Sequence, residues 1–96
     1  MATRHELNEA EQVLKALNTP DDAINALSKA RNLARAQQAI HRLSSEMALN
    51  DSRDEVVIAF NDLIQSLQSG LSAPDKIEKA KRAAEDWVKE LKTLQV

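Results

Sequence analysis

Cysteine is absent from this sequence, and glycine and proline are scarce, with one and two residues in 96. Without cysteine there are no disulfides, thiolate zinc sites or cysteine nucleophiles, which fits the reducing cytoplasm where we expect the protein to reside. A single glycine excludes a glycine-rich phosphate-binding loop. Such scarcity also excludes a disordered linker and an all-β fold with many turns.

Aromatic residues and long apolar runs are equally scarce. Phe60 and Trp87 are the only aromatic residues, so a row of stacking platforms for single-stranded nucleic acid is missing. No window approaches the ~18 apolar residues of a membrane-spanning helix, and the polar N-terminus does not resemble a signal peptide. Apolar residues make up 43% of the chain, which is enough for the core of one domain over residues 1–96.

The apolar residues recur at spacings of three and four, as they do along one face of a helix. Together with four Ser/Thr-x-x-Asp/Glu boxes, which begin at Thr3, Thr19, Ser52 and Ser72, they predict an all-α four-helix bundle with short connections. The left-handed conformation at Asn18, Asn50 and Gly70 is predicted to end the first three helices. The predicted helices cover about residues 4–17, 20–49, 53–69 and 74–94.

The predicted second helix is long and central, and it carries two apolar faces about 150–180° apart. The first face contains Ala23, Ile24, Leu27 and Ala34, and the second contains Leu33, Ala36, Ile40, Leu43 and Met47. One neighbour cannot cover both faces, so either different helices cover the two halves or the helix breaks near Ser44-Ser45. We favour a continuous helix, with the first helix on its first half and the third and fourth on its second. A face left uncovered would be closed by a second copy.

Charge is segregated along the chain. The net charge is −3 over residues 1–22, +4 over 23–45, −4 over 46–72 and +1 over 73–96. The second helix also carries a ridge of polar residues at spacings of four, three and four, namely Arg31, Arg35, Gln38 and Arg42. Either two acidic helices neutralise this basic helix, or the ridge binds a partner, since arginine suits carboxylates and phosphates.

No catalytic site, cofactor or metal site is predicted. His5 and Glu9 lie four residues apart, but a metal site needs three or four converging ligands. His41 is interpreted as a surface histidine, and no Ser-His-acid set can be singled out. Trp87 occupies a core position in the apolar repeat of the fourth helix, and the alternative is a binding anchor.

The sequence therefore predicts a non-enzymatic protein–protein interaction module, such as a small adaptor, chaperone or inhibitor, that self-associates as a homodimer. The predicted partner-binding residues are Arg31, Arg35, Gln38 and Arg42. The alternative is a nucleic-acid-associated regulator that uses the same ridge. A net charge of −2 gives no general attraction for nucleic acid, and three or four phosphate contacts would bind weakly.

Overall fold

Helices fill most of the chain. The computed structural model describes residues 3–19, 23–41 and 47–94. Within them lie four helices, α1 (Thr3–Ala16), α2 (Ile24–Ile40), α3 (Met47–Gln68) and α4 (Pro74–Leu94), and no strand. The prediction of an all-α fold with four helices is confirmed for these residues.

The helices pack in a ring in which each lies beside its neighbours in sequence. α1 packs against α2 and α4, and α3 packs against the same two helices, so α1 and α3 are diagonal. α2 and α3 run antiparallel: Arg31 contacts Asn61, whereas Gln38 contacts Asp54, so residue numbers rise along α2 as they fall along α3. The prediction that the fourth helix covers the second is wrong, because α4 packs mainly on α1 and α3.

The prediction of a long central second helix is also wrong, because α2 ends at Ile40 and α3 is the longest of the described helices. A helix over residues 20–49 would span about 45 Å, more than the 39 Å of the molecule's longest dimension. The alternative break at Ser44-Ser45 lies outside the described residues. The predicted stop at Asn50 and the start box at Ser52 both fall inside α3.

α3 begins early because one continuous face of it is buried from its first turns. Each helix buries residues at alternating spacings of four and three, which is the repeat expected of helices that pack side by side. These buried positions are Glu6, Ala10, Val13 and Leu17 in and after α1; Ala23, Leu27, Ala30, Ala34 and Gln37 in and before α2; Leu49, Arg53, Val56, Phe60 and Leu63 in α3; and Ala80, Ala84, Trp87 and Leu91 in α4. The first apolar face predicted for the second helix is thus largely confirmed. In α1, the apolar Leu7 and Leu14 are only half-buried, since Glu6 and Val13 occupy the central positions.

The core is built unequally by the four helices. α3 and α4 supply most of its large side chains, including Phe60 and Trp87, whose rings meet edge to face with centroids 6.5 Å apart. α2 supplies mainly alanines, and these small side chains let its backbone lie close to its neighbours. The predicted core position of Trp87 is confirmed by its complete burial.

One predicted helix end is confirmed and another is wrong. Gly70 has φ 72°, and the N–H of Leu71 donates to Ser66 O at 2.9 Å, so the predicted glycine stop is confirmed as a Schellman motif. Asn18 is not left-handed, because glycine alone has a positive φ among the described residues. Instead, Thr19 donates its hydroxyl to Ala16 O at 3.4 Å.

The predicted start of the second helix at Thr19 is wrong as well. α2 begins at Ile24, with Ala23 at the N-cap position and without a side-chain cap. The other predicted start residues, 20–22, lie outside the described part of the chain. Pro74 begins α4 as predicted, because proline is tolerated at the first position of a helix.

Replacing Gly70 with alanine should lower the free energy of unfolding by about 1 kcal/mol, the cost of a left-handed conformation for a residue with a side chain. A Cβ at this position would meet no atom within 4 Å, so backbone strain is the only cost. Urea unfolding followed by circular dichroism measures the change, and Ser69→Ala, one residue earlier and also exposed, is the control. Equal stability of the two variants would contradict the prediction.

Candidate functional site

A charged cluster is buried where α1, α3 and α4 meet. Glu6 and Arg53 are both 0% exposed. Arg53 donates two hydrogen bonds to the Glu6 carboxylate, from Nε to Oε2 at 2.8 Å and from Nη2 to Oε1 at 2.7 Å. The Trp87 indole N–H donates to Oε2 at 2.7 Å, and Arg53 Nη1 donates to Asn50 Oδ1 at 2.8 Å. We refer to these four residues as the Glu6 cluster.

The Glu6 cluster crosses the diagonal of the helix ring. Only long side chains can join α1 to α3 across the core. The Arg53 guanidinium binds the Glu6 carboxylate through two parallel hydrogen bonds. Breaking such a pair leaves an uncompensated buried charge, which is strongly destabilising. The carboxylate has no exposure to solvent, so a substrate cannot reach it in this conformation.

Sequence reasoning missed this cluster. Glu6 is the last residue of the capping box that begins at Thr3, and Arg53 lies within the box that begins at Ser52. The available signal was positional: Glu6, Ala10, Val13 and Leu17 form one repeat, and Leu49, Arg53, Val56 and Phe60 form another. A charged residue at a core position of each of two helices, with opposite signs, predicts a buried ion pair.

The ridge residues predicted to bind a partner follow the boundary between α2 and α3. Arg31 is half-buried and donates from Nη1 to Asn61 Oδ1 at 3.1 Å. Gln38 is also half-buried, and its Nε2 donates to Asn50 O at 3.2 Å and to Asp54 Oδ1. Arg35 is exposed, and Arg42 lies outside the described residues.

These contacts define one surface of the molecule. Arg35 lies between Arg31 and Gln38 along α2, and Ile58 lies between Asp54 and Asn61 along α3. Arg35 and Ile58 are therefore at the same height on adjacent helices, and Ile58 is 55% exposed. The α2–α3 face consists of Arg31, Arg35, Gln38, Asn50, Asp54, Ile58 and Asn61.

Charge is divided between the two helices that form this face. The charged residues of α2 are all basic: Lys29 and Arg35 are exposed and Arg31 is half-buried. The exposed charged residues of α3 are all acidic, namely Asp51, Asp54, Glu55 and Asp62, since its single base, Arg53, is buried. On the α2–α3 face itself, Arg31 and Arg35 of α2 thus lie beside Asp54 of α3, whereas Lys29 lies towards α1 and Asp51 and Glu55 lie towards α4.

Of two open grooves, one borders this face at Asp54 and the other lies outside it. One, of about 440 Å³, is lined by Asp51, Ser52, Asp54, Glu55 and Asp86. The other, of about 480 Å³, lies between α1 and α2 and is lined by His5, Glu9, Lys29, Asn32 and Leu33. Within the described ranges, no three His, Cys, Asp or Glu residues are grouped so that they could hold a metal ion.

Exposed apolar residues mark the end of the molecule where α2 finishes and α3 begins. Ile40 is 70% exposed and Met47 is 72% exposed, and Ala36 is exposed as well. The prediction that the third helix covers the second apolar face is therefore wrong. That face turns away from α3, because α2 directs Ala30 and Ala34 into the core and Arg31 and Gln38 towards α3. Leu33 is half-buried on the side of α1, and Leu43 lies outside the described residues.

Comparison with protein-family models, with curated proteins and with solved structures finds no match to this chain. Among the described helices, none is long and apolar enough to cross a membrane. The case for a function therefore depends on the chain's own surface chemistry.

Replacing Glu6 with glutamine should lower the free energy of unfolding by about 3–5 kcal/mol, the usual cost of removing one partner of a buried ion pair. Glu9→Gln, on the same helix and only half-buried, is the matched control and should change stability by less than about 0.5 kcal/mol. Chemical denaturation measures both variants.

A double variant separates charge from volume in the same measurement. Glu6→Leu combined with Arg53→Met should recover most of the stability that either substitution loses alone, because the double variant removes both members of the ion pair. If Glu6→Gln were as stable as Glu9→Gln, the buried pair would not be the main electrostatic contact of the core.

Proposed function

We propose that this chain is a non-enzymatic protein-interaction module that forms a homodimer through the α2–α3 face. The division of charge is the observation that carries the proposal. Basic residues of α2 beside an acidic residue of α3 are self-complementary under a two-fold axis, because Arg35 of each copy then lies near Asp54 of the other. The exposed Ile58 would supply an apolar contact near the centre of the interface.

The orientation of the axis follows from the antiparallel packing of α2 and α3. An axis parallel to the helices keeps every residue at its own height and places α2 of one copy on α3 of the other. Arg35 then faces Ile58 of the second copy, with Asp54 one turn away. Reciprocal contacts of this kind are what a two-fold interface requires.

Other occupants of the face are electrostatically less favourable. Packing α2 against the α2 of a second copy would bring two basic helices together, and this contact costs energy. A nucleic acid that approached Arg31 and Arg35 would bring its phosphates towards Asp54 and Asp62, which are exposed on the adjacent helix. The nucleic-acid regulator is therefore the weaker proposal, although it uses the same arginines.

A charge exchange tests the proposed dimer. Arg35→Glu alone and Asp54→Lys alone should each raise the dimer dissociation constant by at least about tenfold, because each creates two like-charge contacts per dimer. An equimolar mixture of the two variants should dimerise again. In the mixed dimer the new glutamate faces the new lysine, and the unchanged Asp54 faces the unchanged Arg35.

Light scattering over a concentration series measures these masses, with circular dichroism to verify that each variant is folded. A wild-type mass of 10.7 kDa at every concentration would reject the homodimer. A dimer that neither substitution weakens would place the interface elsewhere. Salt-sensitive retention of the wild-type chain on DNA, lost with Arg35→Glu in a monomeric protein, would favour the nucleic-acid regulator.

A second substitution tests the apolar contact. Ile58→Glu should weaken the dimer by at least about tenfold, since it removes a central apolar side chain and adds an acid to a row of acids. Leu71→Glu is the matched control, because Leu71 is similarly exposed at 61% but lies after α3, away from the α2–α3 face. Analytical ultracentrifugation of both variants should show a loss of dimer only for Ile58→Glu, and equal effects would contradict the proposed interface.

A further inference from the structure

Asn50 belongs to both the buried Glu6 cluster and the α2–α3 face. Its Oδ1 accepts a hydrogen bond from Arg53 Nη1 at 2.8 Å. Its Nδ2 donates to His41 O, at the end of α2, at 3.0 Å, and its main-chain oxygen accepts from Gln38 Nε2 at 3.2 Å. One residue of α3 thus joins the ion pair in the core to the last turn of α2.

The chemistry of its partners determines how the Asn50 amide is oriented. A guanidinium can only donate, so the amide oxygen must face Arg53, and a main-chain carbonyl can only accept, so the amide nitrogen must face His41. If Arg53 moves away from this position, the amide loses one of its two partners and is held only by its bond to His41 O. The link between the ion pair in the core and the end of α2 is then broken.

We infer that Asn50 couples the docking of α1 to dimerisation through the α2–α3 face, so that the Glu6 cluster regulates self-association. The inference depends on the proposed homodimer. Glu6 is the only member of the cluster contributed by α1. When Glu6 holds Arg53, Asn50 binds the end of α2 to α3, and the distance between Arg35 and Asp54 is set.

The coupling acts in both directions. Release of α1 removes the carboxylate from Arg53, loosens the end of α2 and weakens the dimer. By thermodynamic reciprocity, dimerisation strengthens the docking of α1 by the same factor. Trp87 reports on this state directly, because its indole N–H donates to Glu6 and it is the only tryptophan of the chain.

The first test uses the unaltered chain. Dilution through the dimer–monomer transition should change Trp87 fluorescence with the same midpoint as the change in mass measured by light scattering. A mass transition without a fluorescence change would overturn the inference and leave the proposed dimer intact. Absence of any mass transition would instead reject the proposed dimer itself, and with it the coupling.

The second test removes the link and keeps the face. Asn50→Ala deletes both side-chain hydrogen bonds but keeps the main-chain oxygen that accepts from Gln38. This variant should still dimerise, with a dissociation constant raised by about tenfold, and its fluorescence should no longer follow its mass. An unchanged dissociation constant with fluorescence that still follows the mass would overturn the inference.

A third measurement compares two ways of disturbing the link. Asn50→Asp keeps an acceptor for Arg53 but faces His41 O with a second oxygen, so it should weaken the dimer at least as much as Asn50→Ala. Glu6→Gln, if it folds, should weaken the dimer about tenfold in the wild-type background but less than about twofold in the Asn50→Ala background. Equal effects of Glu6→Gln in both backgrounds would show that Asn50 does not transmit the coupling.

Discussion

The ion pair between Glu6 and Arg53 is the contact on which the rest of this structure depends. It joins two helices that are diagonal in the ring, and the Trp87 indole adds a third helix to the same carboxylate. Apolar repeats with many alanines can slide along one another by a turn at little cost. A buried charge cannot, because any other register leaves it without its partner. The pair therefore selects one register for α1 against α3 and α4.

Opposite charges on different helices also lie at the surface, where the contacts between them are weaker. Bases on α2 and acids on α3 are solvated, so each contact between them is worth little within one molecule. Their arrangement matters more for the proposed dimer, because Arg31 and Arg35 of α2 lie beside Asp54 of α3, and because the basic residues of α2 disfavour contact with another basic helix. Asn50 connects this solvated arrangement to the buried one, since its amide contacts both Arg53 and the end of α2.

Sequence periodicity predicted α1 and α4 to within one residue at each end, and it identified Gly70 and Trp87 correctly. It failed at His41 and over residues 47–53, because the local signals there were consistent with two outcomes. Asn50 suits a helix stop, and Ser52 suits a helix start, yet both lie inside α3. The deciding factor was burial: Leu49 and Arg53 belong to the face of α3 that packs on the other helices, and packing outweighs local capping preference.

The sequence by itself determined the helical class, the number of helices, the segregation of charge and the absence of cysteine chemistry, because these follow from composition and from spacing along one chain. Only the tertiary structure decided that Glu6 meets Arg53 across the core, that Arg31 and Gln38 bind to α3, and that Ile40 and Met47 remain exposed. Those outcomes depend on which faces of different helices meet, and the free energy of that choice comes from contacts between residues far apart in the sequence.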